Sequence, residues 1–125
     1  MNCSCIYIET EGTPSFVREK LIHSAKTFHK CLECGRTILK GESYYYACGV
    51  WENKFHAYKT CVDCESVIRS FFCSGYLIGN IWDDLRTHIW ETNGEVSEDC
   101  IVPLTVSALY KVCELIENTW EEEDA

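Results

Sequence analysis

Residues 31–64 read CLECGRTILKGESYYYACGVWENKFHAYKTCVDC, with a Cys-x-x-Cys pair at each end. Cys31 and Cys34 form the first pair, Cys61 and Cys64 form the second, and 26 residues separate the two pairs. Two residues between thiolates allow both sulfurs to bind the same ion, and four thiolates complete the tetrahedral shell of zinc. The spacing therefore predicts one closed, structural Zn²⁺ site made from all four cysteines.

Two other interpretations of paired cysteines fit the chain less well. A thioredoxin-type redox motif needs one reactive pair beside a βαβ pattern, whereas here two pairs flank an aromatic segment. A disulfide framework needs an oxidising compartment, and the N-terminal MNCSCIYIETEGTPSF lacks the basic and apolar regions of a secretory signal. We therefore expect a cytoplasmic protein. No apolar run approaches the length of a membrane span, so we expect no membrane partner.

The segment between the two pairs predicts a β-hairpin. Gly41 marks a turn, residues 44–51 alternate as a strand does, residues 52–54 form a second turn and residues 55–60 can return as a strand. After Cys61, the sequence VDCESVIRSFF has the apolar spacing of a helix. Knuckle, hairpin and helix in this order predict an α+β fold, a treble-clef zinc finger.

Length and pattern predict a single domain over residues 1–125 with three parts. Residues 1–30 form an N-terminal arm, residues 31–79 the treble-clef zinc module, and residues 80–125 an acidic C-terminal helical extension. In the arm, Pro14 and Ser15 favour a short helix near residues 15–21, followed by a strand just before Cys31.

The helical extension has two amphipathic patterns. Residues 80–91 place apolar side chains at helical spacing, and Asn93-Gly94 ends this helix. Residues 104–120 predict a second helix with a continuous apolar stripe. The stripe comprises Leu109, Val112, Cys113, Ile116 and Trp120.

Charge is distributed unevenly along the chain, whose net charge is −9. Residues 1–79 carry nine basic and eight acidic residues, whereas residues 80–125 carry two basic and twelve acidic ones. A protein that binds nucleic acid over its whole surface is usually basic. The acidic part is either a solvated face that aids solubility or a surface for a basic partner.

A second zinc site is predicted from the remaining cysteines. Cys3 and Cys5 place two thiolates together near the N-terminus, and Cys73 is the expected third ligand, with His88 or His29 as the fourth. The alternative is that Cys3 and Cys5 are exposed thiols.

The other cysteines and His56 have simpler predicted roles. Cys48, Cys100 and Cys113 lie on apolar faces and are expected to be small core residues. His56, five residues before Cys61, is expected to pack or to lie at the surface, and the alternative roles are a metal ligand or a catalytic base.

The stretch HKCLECGRTILKGESYYYACGVWENKFHAYKTCVDCESVIR resembles a group of small, mostly uncharacterised zinc-finger proteins carried by phages and prophages. These proteins combine an early Cys-x-Cys with the pattern CxECGR…GExY…YKTCxxC, and the resemblance covers roughly residues 3–90. It implies a treble-clef module with four cysteine ligands and a host-cytoplasmic location. It implies no particular activity.

The residues argue against an enzyme. Treble clefs include the His-Asn-His nucleases, which need a further His or Asn on the helix to hold a divalent ion. The helix after Cys61 has Glu65, Ser66 and Arg69 instead, so a degenerate nuclease is only the third hypothesis. Four thiolates also leave a zinc ion no open position for water.

Two binding functions remain. The preferred hypothesis is a zinc-stabilised protein whose acidic helices bind and inhibit a host protein with a basic surface, such as a nucleic-acid-binding defence complex. The alternative is a nucleic-acid-binding regulator that uses basic and aromatic residues of the zinc module. Those residues are Lys26, Lys30, Arg36, Lys40, Lys54, Lys59 and Arg69, with Tyr44, Tyr45 and Trp51.

Overall fold

The computed structural model describes residue 6 and residues 16–51, 53–72, 76 and 78–124. Strands come first along this part of the chain and helices follow. The strands are β1 (Phe16–Ile22), β2 (His29–Lys30), β3 (Thr37–Ile38), β4 (Tyr44–Trp51) and β5 (Lys54–Cys61). The helices are α1 (Val62–Phe71), α2 (Ile81–Glu91), α3 (Glu98–Ile101) and α4 (Val106–Asp124).

The main sheet is antiparallel and has the order β1-β4-β5. Strands β4 and β5 form the predicted hairpin, with Tyr44 opposite Cys61 and Trp51 opposite Lys54. Asn53, between the strands, has a φ of 65°, a left-handed conformation that asparagine adopts more readily than most residues. The hairpin therefore brings the second cysteine pair back to the start of β4.

The prediction of a helix near residues 15–21 is wrong, because residues 16–21 lie in strand β1. It pairs with β4 along its whole length, from Phe16 opposite Val50 to Ile22 opposite Tyr44. The strand expected before Cys31 is confirmed as β2, which pairs with β3. The backbone hydrogen bonds that β4 offers along its second edge outweigh the weak local preference for a helix.

Helix α1 begins directly where β5 ends. Cys61 is its N-cap, and the Cys61 sulfur accepts a hydrogen bond from the Cys64 amide. The apolar face of α1 buries Val67, Ile68 and Phe71 in the core. The helix predicted after Cys61 is therefore confirmed, with Cys61 as its N-cap and Cys64 in its first turn.

Helices α2 and α4 lie side by side and run in the same direction. Near their beginnings, the Lys111 ammonium lies 5.0 Å from the centre of the Trp82 ring. Near their ends, Trp120 Nε1 donates a hydrogen bond of 3.0 Å to the Asn93 carbonyl. Gly94, with a φ of 77°, follows α2 as predicted, and the short helix α3 was not predicted.

One core joins the sheet to the helices. It combines Ile38 of β3 with Val67 and Phe71 of α1, Leu85 of α2 and Val112 of α4, all fully buried. The α+β class is thus confirmed. Among the helices that the structure describes, none is both long enough and apolar enough to span a bilayer.

Candidate metal centre

Two tight turns present the four clustered cysteines. In the first, the Gly35 amide donates to the Cys31 carbonyl and the Cys31 amide donates to the Arg36 carbonyl, each at 2.9 Å. Gly35 has a φ of 76°, which a residue with a Cβ adopts at a cost. The second turn is the junction of β5 with α1, which carries Cys61 and Cys64.

The sulfurs of Cys31, Cys34, Cys61 and Cys64 all lie within 4.8 Å of one another. Two of the sulfur–sulfur distances, Cys31–Cys64 and Cys34–Cys61, are 3.8 Å. A tetrahedron with zinc–sulfur bonds of about 2.3 Å has an edge of about 3.8 Å. These two distances therefore match the edge of a tetrahedral metal site, and all four cysteines are free thiols.

Proton sharing within the cluster indicates why a cation fits it. Hydrogen bonding with the Cys61 and Cys64 side chains lowers the pKa of Cys31 well below its usual value. The same contacts with Cys31 raise the pKa of Cys61 to about 11 and raise that of Cys64 as well. A divalent cation that replaces the protons shared by these thiols would stabilise all four thiolates.

N–H donors surround the sulfurs. The Cys61 amide donates to the Cys31 sulfur at 3.3 Å, and the Cys64 amide donates to the Cys61 sulfur at 3.5 Å. Trp82 Nε1, from α2, donates to the Cys64 sulfur at 3.3 Å. These bonds favour negative charge on sulfur. The role of Trp82 was not predicted, since no spacing in the sequence relates it to Cys64.

Arg36 holds together the two turns that carry the cysteines. Its guanidinium forms a two-pronged ion pair with Glu42 and also lies 3.3 Å from the Asp63 carboxylate. The Glu42 contact is the main cause of the raised pKa of Arg36, and the nearby Cys61 sulfur adds to it. The permanent charge of Arg36 therefore offsets part of the negative charge that four thiolates would bring.

The second predicted zinc site is not tested by the structure. Cys3, Cys5 and Cys73 lie outside the described residues. Of the candidate fourth ligands, the His29 ring packs on Tyr44 at 5.1 Å and the His88 ring packs against Phe71 at 6.5 Å. Neither histidine joins a cluster of metal-ligating groups within the part of the chain that the structure describes.

The remaining described cysteines lie away from the four-cysteine cluster. Cys48 is a buried free thiol and Cys113 is a partly buried one. Cys100 is buried in the core, as predicted, but its sulfur is in a disulfide, which was not predicted. None of the four clustered cysteines is its partner, because all four are free thiols. His56 stacks on Tyr58, with ring centres 6.2 Å apart.

The ends of α2 and α4 carry exposed tryptophans among carboxylates. Trp90 is 61% exposed and Trp120 is 50% exposed, although their spacing predicted apolar helix faces for both. Trp90 also lines a groove of about 410 Å³ between the two helices. We call this region the acidic tryptophan surface, and it comprises Trp90, Trp120 and the exposed Glu91, Glu95, Glu117 and Glu121.

Several of the basic and aromatic residues that were candidates for binding nucleic acid already contact other side chains of this protein. Arg36 is paired with Glu42 and Asp63, and Arg69 pairs with Glu65 and lies over the Tyr45 ring. The exposed lysines of this set are Lys26, Lys30, Lys40 and Lys54. Tyr44 is buried, and the side chain of Trp51 lies outside the described residues.

Comparisons with known proteins returned nothing similar: no protein-family model, no curated protein and no solved structure matches this chain significantly. The four-cysteine cluster, with its spacing, burial and hydrogen bonds, is therefore the feature from which a function can be argued.

Proposed function

We propose that this chain is a non-enzymatic, zinc-stabilised binding protein of the treble-clef type. The observation that carries the metal assignment is the spacing of the four sulfurs, which lie within 4.8 Å of one another. The element order supports the treble-clef type, because the short strands β2 and β3 precede the hairpin of β4 and β5, and helix α1 follows it. A tetrahedral set of four sulfurs favours zinc or iron among biological metals.

Metal analysis of the purified protein tests this assignment. We expect the four-cysteine cluster to hold one zinc ion and Cys61→Ser to release it, because three thiolates bind zinc more weakly. Cys113→Ser is the matched control, since Cys113 is a free thiol outside the cluster. Equal zinc content in the Cys61 and Cys113 variants would remove the basis of the assignment.

The partner we propose is a protein with a basic surface, which binds at the acidic tryptophan surface. Residues 80–125 carry twelve acidic residues and two basic ones, Lys111 and Arg86, and Arg86 lines the groove beside Trp90 and pairs with Asp83. The parallel arrangement of α2 and α4 places the negative ends of two helix dipoles at this same surface. Exposed tryptophans add cation–π contacts with arginine or lysine.

The phage resemblance extends this proposal to inhibition. A protein made by a phage gains from occupying a basic groove of a host protein that otherwise holds nucleic acid. A nucleic-acid-binding defence complex has such a groove. We propose that the acidic tryptophan surface binds there and excludes the nucleic acid, as a competitive inhibitor does.

A labelled nona-arginine peptide is a direct probe of the surface. We expect binding that weakens with salt and falls about tenfold in Trp90→Ala, since exposed cation–π contacts and interface tryptophans contribute about 1 kcal/mol or more. Tyr110→Ala is the matched control, because Tyr110 is 73% exposed on α4 outside this surface. Equal affinity in the two variants would place the binding elsewhere.

Nucleic-acid binding is the second candidate, and one observation favours it. Lys30, Tyr58 and Lys59 line a pocket of about 400 Å³ beside the first cysteine turn, where an aromatic ring and two cations can bind a stacked base and its phosphate. A single-stranded 20-mer tests it: we expect the variant Lys30→Ala/Lys59→Ala to lose binding if this candidate is correct. The overall negative charge opposes strong binding.

A further inference from the structure

Each Cys-x-x-Cys turn carries a carboxylate at the position before its second cysteine. These are Glu33 in CLEC and Asp63 in CVDC. Neither side chain belongs to the four-sulfur cluster, and both are partly buried. Asp63 pairs with Arg36, and both carboxylates also accept hydrogen bonds from groups 42 to 48 residues further along the chain, at the starts of α2 and α4.

Glu33, which lies in the first cysteine turn, caps the N-terminus of helix α2. Its carboxylate accepts hydrogen bonds from the Gly79 amide at 2.8 Å and the Ile81 amide at 3.3 Å. The residue at the N-cap position itself, Asn80, makes no side-chain capping bond. The first turn of a helix leaves amides without partners, so α2 depends on the first cysteine turn for part of this cap.

Asp63 anchors helix α4 in the same manner. Its carboxylate accepts a hydrogen bond from the Thr105 hydroxyl, and that hydroxyl in turn accepts one from the Ala108 amide at 3.3 Å. The Thr105 amide also donates to the Ser66 hydroxyl of α1 at 3.3 Å. Thr105 therefore connects the start of α4 to the second cysteine turn.

We infer that Glu33 and Asp63 are positioning residues that couple metal binding at the four cysteines to the acidic tryptophan surface. The metal fixes both cysteine turns, the two carboxylates hold the starts of α2 and α4, and these helices carry the exposed tryptophans at their other ends. The part concerning partner binding rests on the proposed function.

The coupling follows from linkage. If the bound metal orders the two turns, it lowers the free energy needed to align α2 with α4, and a ligand of the aligned helices then binds more tightly. The effect is reciprocal, so the ligand must tighten metal binding by the same factor. Coupling factors between sites in proteins are typically about 5- to 150-fold.

Amide hydrogen exchange tests the positioning role without any ligand. In the zinc-loaded protein, we expect Glu33→Ala/Asp63→Ala to increase exchange in the first turns of α2 and α4 about tenfold, while amides of β4 keep their protection. Glu33→Gln/Asp63→Asn retains an acceptor oxygen at each position and should restore most of the protection. Glu65→Ala is the matched control, since Glu65 pairs with Arg69 on α1. Unchanged exchange in α2 and α4 would overturn the inference.

Zinc affinity, measured against a competing chelator with and without the nona-arginine peptide, tests the coupling. We expect the peptide to raise zinc affinity about tenfold in the native chain and to have no such effect in Glu33→Ala/Asp63→Ala. A role in stability alone would leave the coupling factor unchanged in the variant, which would overturn the inference. If the native protein does not bind the peptide, the proposed function fails, and the exchange measurement still decides the positioning role.

Discussion

At the scale of single residues, Arg36 illustrates how the geometry of a side chain matters as much as its charge. Its planar guanidinium contacts Glu42 through two nitrogens and reaches Asp63 on the second cysteine turn. An ammonium group is a point charge and cannot make this forked contact. The residue thus binds two carboxylates from separate parts of the chain.

We expect Arg36→Lys to lower the free energy of unfolding by about 1 kcal/mol, since it loses charge-assisted hydrogen bonds while keeping the charge. Urea denaturation of the zinc-loaded protein measures this. Arg86→Lys is the control, because Arg86 and Asp83 form an exposed ion pair, and such pairs contribute little. Equal changes in the two variants would contradict a special role for Arg36.

His88 predicts a dependence of stability on pH. Burial lowers the pKa of His88, with Glu91 acting in the opposite direction, and its ring packs on Phe71. A histidine whose pKa is lower in the folded state favours folding when neutral. That contribution is present above the unfolded pKa of about 6.5 and is lost as the pH falls through the folded value.

We therefore expect His88→Gln to reduce the loss in melting temperature between pH 7 and pH 5, measured at saturating zinc. His23→Gln is the control, because His23 is exposed, and it should leave the pH profile close to that of the native chain. A His88 variant with the native profile would show that other groups cause the loss.

At the scale of elements, the turn after α2 contains a glycine, Gly94, that has no room for a side chain. Gly94 has a φ of 77°, and a Cβ at this position would overlap the Trp120 ring. Trp120 in turn donates to the Asn93 carbonyl at 3.0 Å. The chain direction after α2 and the position of Trp120 therefore depend on each other.

Gly94→Ala should destabilise the protein more than Gly41→Ala does. Both alanines adopt a left-handed conformation, which costs about 1 kcal/mol, but a Cβ at Gly41 has nothing within 4 Å. The overlap with Trp120 adds about 1–3 kcal/mol. Thermal unfolding of the two variants measures the difference, and equal melting temperatures would contradict the packing described.

At the scale of the whole molecule, the four-cysteine cluster lies where the strands meet the helices. Cys31 directly follows strand β2, Cys61 ends strand β5 and Cys64 lies in the first turn of helix α1. A core of this size supplies limited stability by itself, and a structural zinc contributes on the order of 10 kcal/mol.

Removal of zinc with a chelator should therefore lower the melting temperature sharply and broaden the unfolding transition. Re-addition of zinc should restore it, and the addition of magnesium should not, because thiolates bind hard cations poorly. Circular dichroism during heating measures both. A chelated protein that melts like the zinc-loaded one would contradict a structural metal.

Features that depend on residues close in sequence could be predicted. The cysteine spacing, the alternating residues of β4, the Asn93-Gly94 stop after α2 and the apolar spacing of α1 and α4 each reflect the local periodicity of a strand, turn or helix. The convergence of four sulfurs was predictable as well, because two tight turns with paired thiolates have few other uses in a chain of this length.

Contacts between distant parts of the chain were decided by the tertiary structure. Residues 16–22 became a strand because the open edge of β4 offered hydrogen bonds, and Trp90 remained exposed because it lines a groove between α2 and α4 instead of packing into the core. The bonds from Trp82 to Cys64, from Gly79 to Glu33 and from Thr105 to Asp63 join residues 18 to 46 positions apart. Local periodicity carries no information about such pairs. Their hydrogen bonds stabilise the protein only after tertiary packing has brought the two residues together.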